Sequence, residues 1–188
     1  MSPREGNARR ARLSRFRHVV WKGSEARGVA TPVAPDFEAR LRRLEDRVLI
    51  SERVVTYGRA VDLRDWALFG DCFTDPVHAD YSQNGLPAAD FVRDDLVEIV
   101  RSAVSGYTAT QHLSANHVVV FDAHDSDRAR CSSAMYAQHH STDGDGHELL
   151  ILRGWYDNHL LRVADEWKIE RLVQHVSWRE IRPAELEV

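Results

Sequence analysis

The stretch PDFEARLRRLEDRVLISERVVTYGRAVDLRDW, Pro35–Trp66, decides the fold. Pro35 followed by Asp36 signals a helix start, with Asp36 as N-cap. Apolar or small residues then recur at Phe37, Leu41, Leu44, Val48, Ser51, Val55 and Gly58. Those steps of three and four predict one buried face on a helix of roughly 24 residues. Continuing the stripe by four reaches Asp62, a carboxylate where an apolar residue is due. A carboxylate on a buried face needs a charged or hydrogen-bonding partner.

Downstream, RDWALFGDCF reads as a short helix with Trp66, Phe69 and Phe73 facing inward. VHADYSQ alternates as a strand, NGLP turns, and AADFVRDDLVEIVRSAVSG reads as an amphipathic helix ending at Gly106. The remainder reads as strands over 109–122, 128–141, 147–163 and 166–178, joined by the polar turns AHDSD, STDGDG and VADE. Helices followed by a meander of long strands predict an α+β fold, with an antiparallel sheet curled over the helices.

At 188 residues the chain has room for one domain and a tail. Residues 1–27 hold seven Arg and one Lys against two Glu, a net of +6, so the rest carries −10 within a whole-chain −4. Residues 1–35 therefore read as a basic, disordered extension, residues 36–182 as the domain and residues 183–188 as a C-terminal tail. The basic segment has no apolar core of a secretory signal, and an anionic partner or an organelle address is its alternative role. The acidic remainder gives no expectation of nucleic-acid binding, and no apolar run approaches the length of a membrane span. Cys72 and Cys131 form neither a disulfide framework nor a zinc motif, which fits a cytoplasmic protein. There is no GxSxG, GxGxxG, P-loop or HExxH.

TATQHLSANHVVVFD, Thr108–Asp122, places an imidazole at the head of an apolar strand. Strand alternation puts His112, Ser114, Asn116, Val118 and Val120 on the inner face, and Leu113, His117, Val119 and Phe121 on the outer. With Tyr57 and Asp62, His112 offers a carboxylate–imidazole base and a phenol donor. From the residues alone, separately satisfied core side chains are the default explanation of all three. Tyr81 is a pocket hydroxyl or a packed tyrosine. Gly154 makes room for a ligand beside Tyr156 and Asn158, or marks a bulge. His139, His140, Asp143, Asp145 and His147 are metal-capable, but DGDG is hairpin-turn chemistry and no metal template is matched, so no metal site is expected.

Long helix, VDLRDWALFGDCFTDPVHADYS, helix, TQHLSANHVVV, strand, GWYDNHLLRVADEWKIERL and a final VSWRE occur in the order of a known family. Over about residues 37–180 the chain resembles the SnoaL-like branch of the NTF2-like superfamily, which includes polyketide cyclases, scytalone dehydratase, bile-acid 7α-dehydratase and hexachlorocyclohexane dehydrochlorinase. The resemblance implies a cone, with a curved antiparallel sheet wrapped around the long N-terminal helix and enclosing an apolar pocket. It implies an Asp–His general-base dyad at Asp62 and His112, with Tyr57 standing where the bile-acid dehydratases carry a tyrosine. Tyr81, Asn116, Ser133, Gly154, Tyr156, His175 and Trp66 are the expected substrate contacts. Two features of scytalone dehydratase are missing: Val61 precedes the Asp, and the second pocket histidine falls near Ser133. The implied activity is a cofactor-independent lyase, of dehydratase type, on a hydrophobic oxygenated ring compound such as a polyketide or steroid-like molecule. The implied alternatives are an aldol-type cyclase, a ketosteroid-isomerase-like isomerase, and a non-catalytic ligand-binding or dioxygenase β-subunit-like module. The family also implies a homo-oligomer, trimer or dimer.

Overall fold

The computed structural model describes residues 37–142 and 148–183. Helix α1 (Phe37–Leu63) is followed by α2 (Trp66–Asp71), strand β1 (Phe73–Asp80), a 3₁₀ turn at Ser82–Asn84 and strand β2 (Ala88–Phe91). Helix α3 (Arg93–Ala103) then leads into β3 (Ala109–Phe121), β4 (Arg128–Ser141), β5 (Glu148–Val163) and β6 (Glu166–Pro183). The strands form one curved, unclosed sheet in the order β2-β1-β6-β5-β4-β3. The fold is α+β, as expected. Two details differ: β1 runs parallel to β6, and residues 88–91 pair with β1 as β2 instead of opening α3. The N-cap Asp36, the basic extension, the DGDG turn and the C-terminal tail lie outside the described residues. Among the described residues no helix is long and apolar enough to cross a membrane.

α1 buries a different face from the one its apolar stripe predicts. Ile50, Val54, Tyr57, Gly58 and Val61 are buried, whereas Phe37, Leu41, Leu44, Val48 and Val55 are exposed. The true face begins at Asp46, a charge that disqualifies it by pattern. Asp46 is satisfied from far along the chain, by Arg162 Nη2 at 2.6 Å and Trp167 Nε1 at 3.1 Å. Once its lone pairs are used, this buried carboxylate carries no desolvation penalty large enough to turn the helix. Gly58 lies on the overlap of the two faces. A Cβ there would meet His112 Cβ at 3.1 Å, so the glycine lets β3 close on α1.

β3 changes face halfway. Ala115 pairs with Ala134 and Val118 with Ser132, so Asn116 and His117 together oppose Ser133. Asn116 sits at φ 54°, the left-handed region that asparagine tolerates better than most residues. The bulge inverts the predicted alternation beyond it: His117, Val119 and Phe121 turn inward, while Val118 and Val120 are exposed. Asn116→Gly is therefore expected to leave urea-unfolding stability within about 0.5 kcal/mol of the parent. Asn116→Val, whose branched side chain clashes in this conformation, is expected to lower it by about 1–2 kcal/mol.

Candidate functional site

The last turn of α1 and the head of β3 bring Asp62 and His112 into direct contact. His112 Nδ1 lies 2.6 Å from Asp62 Oδ1, and the His112 backbone N–H donates to Asp62 Oδ2 at 2.8 Å. Thr110 Oγ1 donates to Asp62 Oδ1 at 3.0 Å. An ionised carboxylate only accepts, so the imidazole proton resides on Nδ1 and Nε2 is left with a free lone pair. Burial alone would raise the Asp62 carboxyl. The hydrogen bonds from the His112 ring, its backbone N–H and Thr110 outweigh that and hold it below the usual carboxylate range. Asp62 therefore stabilises the fold above the ordinary carboxylate range, and that contribution is lost as the pH falls through its depressed value.

His112 lines a cavity of about 230 Å³ between α1, α3 and the sheet. Larger depressions, of about 530 and 620 Å³, lie between α2 and α3 and beside the N-terminal end of α1. Those are surface grooves rich in charged side chains, whereas the smaller cavity gathers the chemistry. Its apolar walls include Val61, Leu86, Val100, Val104, Leu150 and Leu152, and no Lys, Arg, Asp or Glu among the described residues lines it. Tyr57, Tyr81 and Tyr156 all face it, with Tyr57 and Tyr81 hydroxyls 3.4 Å apart. Burial raises all three phenols above their usual range, so each stays protonated and able to donate. The Tyr156 hydroxyl faces Tyr57 and Gln174 but makes no hydrogen bond of good geometry among the described residues. Gln174 Nε2 donates to the Met135 thioether at 3.3 Å, and its Oε1 has no partner among the described residues. Buried and unpaired polar atoms beside a cavity are matched by what fills it.

His139 was singled out in the sequence only as a metal-capable residue. The structure places it in the cavity wall, 6% exposed, edge-on to His112 with ring centroids 5.2 Å apart. Burial first, and then the neighbouring His112, push its pKa down to about 4. This imidazole is therefore neutral, with no partner for its Nδ1 among the described residues. The position near Ser133 carries no histidine, whereas His139, six residues along the same strand, puts an imidazole in the cavity wall. Because the unfolded chain binds a proton at the ordinary 6.5 and the folded chain does not until about 4, stability falls as the pH drops between those values. His139→Phe should abolish about 3 kcal/mol of acid-side loss, read by urea unfolding at about pH 7.5 and about pH 4.5.

Four expected substrate contacts lie elsewhere, and a fifth only backs the wall. Asn116 is exposed at the bulge. His175 points to the outer face, where it stacks on Trp155 with centroids 4.5 Å apart; Gln174, its neighbour, takes the inward position. Trp66 packs against Phe69 in the α2–α3 groove, beneath Arg101. At Gly154 a Cβ would stand 1.8 Å from the His175 carbonyl oxygen, so the glycine serves a close strand approach and not a ligand. Ser133 is buried behind the wall, where it accepts from Ser114 at 2.8 Å. Ser114 also bonds His117 at 3.1 Å, and His117 bonds Ser51 at 2.5 Å. Tyr57, Tyr81, Tyr156 and His112 share the lining of the cavity.

The sequence profile of the SnoaL-like domain matches residues 42–173. Among solved structures, a protein of Kribbella flavida is 29% identical, with 73% of this chain and 95% of that one aligned at a TM-score of 0.68. A Novosphingobium aromaticivorans protein provisionally named scytalone dehydratase is 18% identical, covering 75% and 90% at 0.64. Hexachlorocyclohexane dehydrochlorinase LinA-type3 of Novosphingobium barchaimii is 16% identical, covering 77% and 94% at 0.63. The last two likenesses are of fold.

Proposed function

Because the chain belongs to the SnoaL-like domain family of the NTF2-like superfamily, we propose that it is a cofactor-independent lyase that eliminates water from a neutral ring compound. The observation that carries this is the 2.6 Å His112–Asp62 hydrogen bond at a cavity wall. His112 Nε2 takes a proton from the carbon beside a carbonyl, and Asp62 stabilises the imidazolium that forms. The developing enolate oxygen accepts a hydrogen bond from the Tyr57–Tyr81 pair. As the enolate collapses, the carbon–oxygen bond at the β position breaks. The imidazolium returns its proton to the departing hydroxyl, which leaves as water, and a carbon–carbon double bond remains.

The cavity also bounds the substrate. A sealed apolar cavity of about 150 Å³ accepts benzene, so about 230 Å³ has room for one or two rings. A lining without charged side chains fits a neutral molecule. The adjacency of His112 and His139 supports a second reading, isomerisation or aldol cyclisation, in which a proton taken at one carbon is delivered at another.

The test offers the protein cyclic β-hydroxy ketones of one and two rings in D₂O. Water loss is read as enone absorbance, and exchange of the α C–H by proton NMR. Elimination that disappears in His112→Ala supports the lyase reading, and exchange without water loss selects isomerisation or cyclisation. Neither process rising above the buffer rate across the panel would leave a ligand-binding module.

A further inference from the structure

Arg64 follows the last residue of α1 in a left-handed conformation, with φ 57°. Its N–H donates to Val61 O at 3.1 Å, and the next N–H, of Asp65, reaches Ala60 O at 2.9 Å. That paired closure of a helix end is one glycine makes without steric cost. An arginine there needs a reason beyond the backbone. Its guanidinium supplies one: Nη1 donates to Val61 O at 2.7 Å and to Thr110 Oγ1 at 2.8 Å, and Nη2 donates to Tyr107 O at 3.2 Å. All three acceptors are neutral oxygens. They lie on the two segments that carry the dyad: Val61 immediately precedes Asp62, Tyr107 leads into β3, and Thr110 lies within β3 two residues ahead of His112.

We propose that Arg64 is a positioning residue that fixes the Asp62–His112 pair by setting the direction of the Thr110 hydroxyl. A guanidinium can only donate, so the Thr110 oxygen accepts from Arg64 and its single proton is left for Asp62. Asp62 Oδ1 then receives Thr110 O–H and the His112 ring N–H, and Oδ2 receives the His112 backbone N–H. Three donors hold the carboxylate in one orientation and keep it ionised, which keeps the ring proton on Nδ1. Without the guanidinium the hydroxyl is free to rotate toward a carbonyl, and one of the three donors is lost.

This inference rests on reading His112 as the base, but its test reads the hydrogen bond and not turnover. The probe is the His112 Nδ1–H proton of the ¹⁵N-labelled full chain, followed by NMR for its exchange with solvent. Arg64→Gly relieves the left-handed backbone, so it should melt at the parent temperature or above it. Its Nδ1–H exchange should nonetheless quicken by about tenfold. Thr110→Val leaves the backbone untouched and should quicken exchange likewise, whereas Thr110→Ser, which keeps the hydroxyl, should hold the parent rate. Parent-like exchange in both Arg64→Gly and Thr110→Val overturns the inference. A melting temperature that falls together with protection in Arg64→Gly also overturns it, since Arg64 would then be a structural clamp only. Failure of the lyase reading would look different: a protected His112 proton in a parent chain with no His112-dependent reaction.

Discussion

His112→Ala is expected to lower the rate of the proposed elimination by about 10²–10⁴-fold while leaving the circular dichroism spectrum unchanged. The loss follows from what the ring does at this position. With Nδ1 held by Asp62, Nε2 is the ring's free lone pair in a cavity without a carboxylate in its lining. Water admitted into the space left by the imidazole is a far weaker base and is not oriented. Asp62→Asn should cost a comparable factor for a different reason. Its single acceptor oxygen cannot serve both the His112 ring and the His112 backbone N–H, which now use separate oxygens. An amide N–H facing Nδ1 would drive the ring proton to Nε2, where it blocks proton abstraction. Because the two act as a unit, the double variant should be little slower than either single one. Strict additivity of the two losses, or full activity in His112→Ala, would remove the dyad from the mechanism.

The largest expected effect on stability belongs to Gly154→Ala, a loss of at least about 3 kcal/mol or about 6–12 °C in melting temperature. The new Cβ would lie 1.8 Å from the His175 carbonyl oxygen, 2.9 Å from its carbon and 3.1 Å from the Ser177 nitrogen. These are main-chain atoms of the neighbouring strand, so no rotamer change removes the overlap. The register explains the crowding. Arg153 pairs with Trp178 and Gly154 with Val176, so Ser177 is an extra residue that bows β6 toward β5. Relief requires β6 to move, and with it Gln174 and its neighbours at the cavity. A loss below about 1 kcal/mol in urea unfolding would show that the strands separate easily there.

How much of this could be read in advance depended on the range of the interactions. The long strands were legible to within one residue at most of their ends, because alternation and short polar turns are local signals. The pairing of β1 with β6 was not, since a parallel contact between residues 73–80 and 169–173 leaves no mark in either segment. The face of α1 was misread because Asp46 looks wrong for a core until Arg162 and Trp167 are folded onto it. Asp62 stood out as a carboxylate on an apolar stripe, but the stripe itself was the wrong one, and only the family order of motifs linked it to His112. His139 was hidden in plain view. Beside His140 and the DGDG turn it looked like metal chemistry, whereas strand parity from Ala137 would have placed it inside. Gln174 carried no sequence signal at all. Its role depends on which of two adjacent polar residues, 174 or 175, a bowed strand turns inward.

The bulge at Asn116 has a consequence for chain length rather than for residue type. One strand presents His112 and Ser114 to the interior ahead of the bulge, and His117, Val119 and Phe121 beyond it. Any substitution beyond position 116 alters a single side chain. Deleting residue 116 would remove the extra residue and leave a regular ladder, with His117 opposite Ser133 and Val119 and Phe121 still turned inward, while the dyad upstream kept its place. The bulge thus sets the frame: if Asn116 were paired instead of bulged, Val118 and Val120 would turn in, so one unpaired residue separates a filled interior from an inverted one.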